Sequence, residues 1–77
     1  LAEGLTFFHL QAPRTLVGRS LAQSGIREKT GCTVVAIQHR GETTITPAPA
    51  YLIDKDDELV LIGTYDAESS FLRAFPA

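Results

Sequence analysis

The chain has no methionine and a single cysteine among its 77 residues. Without a methionine it carries no start of its own and reads as a piece of a longer protein. One cysteine excludes an internal disulfide, and Cys32 lies in an apolar run, where a buried small hydrophobe is expected rather than a nucleophile. No apolar stretch approaches the roughly 20 residues of a membrane helix, and no signal-peptide pattern occurs. The Gly-x-Ser-x-Gly elbow, the Walker lysine loop and the dinucleotide glycine fingerprint are all missing. Gly18 and Gly25 are too far apart and flank a helix rather than opening one after a strand. Ser24, His39 and an aspartate form no triad by any recognised spacing. The chain is therefore read as a non-enzyme, with no catalytic residue. His9 has no second histidine or cysteine at metal-ligand spacing, which assigns it a structural role.

What is present fits one domain, near the size at which a single core is only just sufficient. Net charge is −2, too mild to imply a nucleic-acid partner. Its distribution is uneven. Residues 1–41 carry five basic and two acidic groups (+3), and residues 42–77 carry two basic and seven acidic groups (−5). A surface that meets an anion is expected in the first half.

Cys32–Ile37 is the most strand-like run, rich in β-branched Val34, Val35 and Ile37. Its apolar continuity predicts an interior strand covered on both faces. Leu5–Leu10 predicts a first strand, ended by Pro13. Ser20 and Gln23 have capping-box spacing and open a short helix, interrupted by Gly25 and resumed from Ile26 to a closing glycine at 31. Leu16, Leu21 and Ile26 are the expected inward groups. Thr33–His39 and Glu42–Thr46 flank Arg40-Gly41 as a hairpin, and Pro47 and Pro49 end its second arm. Tyr51, Leu52 and Ile53 return to the core. Lys55–Asp57 forms a turn before a last strand, Glu58–Ile62, stopped by Gly63. Asp66 is the expected cap of a final helix with Ala67, Phe71, Ala74 and Phe75 at helical spacing. The fold class that follows is α+β: one mixed, largely antiparallel sheet with two helices packed on it.

Two charged features remain. The run Asp54–Glu58 offers calcium-type oxygen ligands, but it lacks the glycine and glutamate of a calcium loop and reads as a solvated turn. Arg27 follows Ile26 between two glycines, so its stem can pack while its guanidinium faces outward. Spacing alone leaves two options for it: a surface arginine paired with Glu28 or with a carboxylate of the acidic half, or a ligand contact.

The ordered series Leu16-Val-Gly-Arg-Ser-Leu21, Ile26-Arg27, Gly31, Val34-Val-Ala-Ile37, Arg40-Gly41, Pro47-Ala-Pro49 and Asp57-Glu-Leu-Val-Leu-Ile-Gly63 resembles the C-terminal subdomain of the regulator of potassium conductance modules, the TrkA C-terminal domain. The resemblance covers about residues 5–75. It implies a non-catalytic regulatory domain on the cytoplasmic side of the cell membrane. Such a domain belongs to a longer potassium channel, potassium uptake system or cation/proton antiporter, usually after a nucleotide-binding Rossmann subdomain. It implies a homodimer whose partners are the membrane-embedded transport protein and a small-molecule effector, with no required cofactor and no metal. Some members bind cyclic di-adenosine monophosphate in a pocket shared by two subunits. Carried over by motif, the lining positions are Leu21, Ile26 with Arg27, Cys32 or Thr33, and Pro49. Thr33 would place a hydroxyl where an aliphatic wall is usual, and Asp56 stands where the family has glycine. Two other readings accompany this one: a ligand-free structural dimerisation module, and a divalent-cation sensor built on Asp54, Asp56, Asp57 or Glu58.

Overall fold

Alternation of side chains builds the sheet. Along β1 (Leu5–Gln11), Thr6, Phe8 and Leu10 turn toward one face, and Leu5, Phe7, His9 and Gln11 toward the other. The computed structural model, which describes residues 4–77, pairs this strand with β4 (Asp57–Thr64). β4 in turn pairs with β2 (Thr33–His39), and β2 with β3 (Glu42–Ile45). The order is β1-β4-β2-β3 and every pairing is antiparallel. The α+β class expected from the sequence is the class observed.

The inner face carries Phe8, Leu10, Leu59, Leu61, Val34 and Ile37. Against it pack Leu16, Ile26 of the short helix α2 (Ile26–Thr30), and Ala67 and Phe71 of α3 (Tyr65–Ala74), with Phe75 beyond its end. Phe71 is fully buried, with its ring edge-on to Phe8 at 6.1 Å and tilted against Phe75 at 5.2 Å. The outer face is another matter. Phe7 is 51% and Ile45 68% exposed, and on β2 itself Ala36 is buried but Gln38 is exposed, so this interior strand is only partly covered on its outer face, not fully as its apolar run predicts.

Three local expectations are corrected. β4 runs through Gly63 to Thr64 instead of stopping, because a Cβ at 63 would lie 3.1 Å from both Cys32 Sγ and Ala67 Cβ. Glycine is what lets the strand pass beneath the helix. The cap of α3 is Thr64, whose hydroxyl accepts from the Ala67 amide at 3.0 Å, and Asp66 sits inside the first turn. Ala74 faces solvent. The Arg40-Gly41 hairpin is as expected: φ is 48° and 88°, the two positive values of a type I′ turn.

Candidate functional site

The polar turn between β1 and β2 is built around a satisfied helix start. Ser20 Oγ accepts from the Gln23 amide at 3.1 Å, and Gln23 reaches back to the Ser20 amide. The amides of Leu21 and Ala22 donate to the carbonyls of Tyr51 (3.0 Å) and Pro49 (2.9 Å). The first three amides of α1 (Leu21–Ser24) are thus occupied, and this helix end has no donor left for an anion. The same bonds clamp the arm of residues 47–53 onto residues 18–22. Gly18 N donates to Ile53 O at 2.8 Å, and Ile53 N to Arg19 O at 2.9 Å.

Between this arm, α1, α2 and the start of β2 lies an open cavity of about 280 Å³. Leu21, Ile26, Arg27, Cys32, Thr33 and Pro49, the positions singled out in the sequence, all border it. Sequence reasoning passed over Glu28, Ser24 and Pro47, which border it too. Glu28 was visible only as a candidate partner for Arg27, whereas adjacent helical residues point apart. Indeed, among the described residues neither Arg27 nor Glu28 belongs to an ion pair. The carboxylates of the acidic half that have a basic side chain within reach face Arg40, His39 or His9 instead. Pairing of Arg27 within the fold, one of the two options its spacing left, is not what occurs.

The cavity wall is mixed, with seven apolar side chains and four polar or charged ones, Ser24, Arg27, Glu28 and Thr33. Ser24 is fully buried and spent internally, donating to Leu21 O at 2.6 Å and accepting from the Ile26 amide at 3.3 Å. Cys32 is fully buried, and burial pushes its thiol above the ordinary value, with the Thr30 hydroxyl pulling the other way. A protonated thiol is a weak nucleophile, so Cys32 serves as wall. Thr33 and Arg27 remain exposed, a hydroxyl and a planar guanidinium at the mouth.

The acidic run turns at Lys55 and Asp56 as expected, but it is not solvated throughout. Asp57 has no exposed surface. Its Oδ1 accepts from His39 Nδ1 at 2.7 Å, and its Oδ2 from Tyr51 Oη at 2.7 Å and the Asp54 amide at 2.8 Å. His39, Asp54 and Asp57 converge within 4.8 Å, but protein donors already engage both oxygens of the buried carboxylate. The departure at Asp56 also has a use. Its carboxylate receives Arg40 Nε and Nη2 at 3.1 and 2.7 Å, tying the hairpin turn to the loop before β4.

Comparison with known proteins agrees with the resemblance. The family model of the TrkA-C domain matches residues 5–75. The Ktr system potassium uptake protein A of Bacillus subtilis (strain 168) is 36% identical over 63 residues, which are 82% of this chain and 28% of that protein. The GsuK channel bound to NAD superposes with a TM-score of 0.88 at 32% identity, over 95% of this chain and 14% of the channel chain. The regulator of conductance of K+ (RCK) C domain of the potassium transport protein KtrA, in complex with cyclic diadenosine monophosphate, gives 0.85 at 26% identity, over 95% of this chain and 86% of that one. The chain thus spans under a third of the uptake protein and a seventh of the channel, but nearly all of the isolated domain. No helix among the described residues is long and apolar enough to cross a membrane.

Proposed function

The chain belongs to the TrkA-C domain family, and from that premise we propose that it is the ligand-sensing regulatory domain of a potassium channel or transporter. It acts on the cytoplasmic side of the membrane and binds cyclic di-adenosine monophosphate between two copies of itself. The observation that carries this reading is the cavity bordered by Arg27, a guanidinium in no ion pair among the described residues. Leu21, Ile26 and Pro49 supply apolar walls for a base, the thiol of Cys32 adds to them, and Thr33 offers a hydroxyl to a polar edge. Arg27 presents its fork to a phosphodiester.

Size supports a shared site. About 280 Å³ falls just below the range for drug-sized ligands, roughly 300–1,000 Å³, so a cyclic dinucleotide is expected to need the cavities of two protomers. A two-fold ligand then matches a two-fold interface to which each chain brings the same patch. Binding would bias the arrangement of the two copies and, through it, the transport protein.

Titration calorimetry tests the proposal. Cyclic di-adenosine monophosphate should give heat with the wild type, and Arg27→Ala should weaken binding by at least tenfold, the loss of one charge-assisted contact. An absence of heat in the wild type would remove the dinucleotide. A dimer that forms regardless would then favour a purely structural role.

A further inference from the structure

We infer that Glu28 is the charge filter of the cavity, selecting ligands that carry no more than one negative charge per protomer. The inference rests on the dinucleotide reading above and specifies what the site rejects. Arg27 and Glu28 are the only arginine, lysine, aspartate or glutamate residues on the cavity wall, whose other principal surfaces are Leu21, Ile26 and Pro49. They are consecutive on α2, so their side chains diverge and do not cancel by direct contact. Both are exposed and neither belongs to an ion pair among the described residues. The wall therefore carries one positive and one negative residue, with zero net charge.

Such a wall is unusual for an anion site, which gains from added cations. The amides of the adjacent helix start add nothing positive, because Tyr51 O, Pro49 O and Ser20 Oγ already occupy them. A phosphodiester carries a single negative charge and is balanced by Arg27 alone. A terminal phosphate monoester carries about −1.5 to −2 at pH 7, and its excess charge meets Glu28. The carboxylate, an acceptor only, is matched instead by amino or hydroxyl donors such as those of adenine and ribose. Glu28 thus separates a cyclic dinucleotide from its linear counterpart and from mononucleotides by charge, whatever the shape of the cavity adds.

The test is calorimetry with cyclic di-adenosine monophosphate and with linear 5′-phosphoadenylyl-adenosine, on wild type and Glu28→Gln. The wild type should prefer the cyclic ligand by tenfold or more. Glu28→Gln should tighten the linear ligand at least fivefold while moving the cyclic one less than threefold. Raising salt from 0.05 to 0.5 M should shrink the difference in preference between wild type and variant, since screening acts on the charge that the substitution removes. A preference identical in both proteins, with cyclic binding intact, overturns the filter alone. No cyclic binding in the wild type overturns the dinucleotide reading and the filter with it.

Discussion

A carboxylate with no exposed surface inside an 8.3 kDa domain needs hydrogen-bond donors on both of its oxygens. Asp57 finds three donors, from the end of β2, from the arm that borders the cavity, and from its own turn. Asp57→Asn removes the charge and turns an amide NH2 toward groups that are themselves donors. About 3 kcal/mol of stability should be lost, read by urea unfolding, because one buried donor is left unsatisfied. The same contact marks Tyr51. Burial, the hydrogen bond to Asp57 and the nearby carboxylates of Asp57 and Asp54 push its hydroxyl up to about 12 from 10.0. The folded protein then holds this proton after the unfolded chain has released it. Stability from Tyr51 is complete below pH 10 and should fall as pH climbs from 10 toward 12. Spectrophotometric titration of Tyr65→Phe, which leaves Tyr51 as the sole tyrosine, should show the late midpoint. A midpoint near 10 in the folded state would contradict the buried contact. None of this was legible in Asp54–Glu58 itself. The local composition reads as solvated, and only His39 and Tyr51, brought in by the hairpin and the arm, make burial tenable.

At the scale of elements, local chemistry was legible wherever one short-range signal decided the outcome. Ser20 and Gln23 form the box their spacing predicts, and Arg40-Gly41 turns the hairpin. It failed where two valid signals competed. Thr64 and Asp66 are both good caps, and the choice fell to strand length: pairing with Leu5 carries β4 to Thr64, leaving Asp66 already helical. Two substitutions separate these roles. Thr64→Ala should cost about 1 kcal/mol, as loss of an N-cap does. Asp66→Ala should cost about half as much, the interaction of an acidic first-turn residue with the helix dipole. The reverse order in thermal unfolding would return the cap to Asp66. Ser20→Ala should also cost about 1 kcal/mol. Because the same helix start is clamped to the arm at Pro49 and Tyr51, that variant should weaken ligand binding as well, though Ser20 itself does not border the cavity.

For the whole molecule, the cavity joins residues 21–34 to residues 47–49, and no spacing rule relates those segments. The candidate site could be named from the sequence through resemblance, whereas its absent internal ion pair and its acidic member emerged from the fold. One protomer offers one cavity guanidinium, in no ion pair among the described residues, and about 280 Å³ of space, so two phosphates call for two chains. Light scattering should therefore report twice the 8.3 kDa chain mass once the ligand saturates, and calorimetry should give one ligand for every two chains. The linked stabilisation is large for a domain of this size. Ligand at 100 times its dissociation constant adds about 2.7 kcal/mol, and each kcal/mol raises the melting temperature of such a domain by about 4–8 °C, so a rise of roughly 10–20 °C is expected. Arg27→Ala should abolish most of that rise without lowering the unliganded melting point by more than a degree or two, because the side chain is exposed and in no ion pair among the described residues. A saturated complex of one ligand and one chain would place the whole dinucleotide on a single protomer and end the shared-cavity reading.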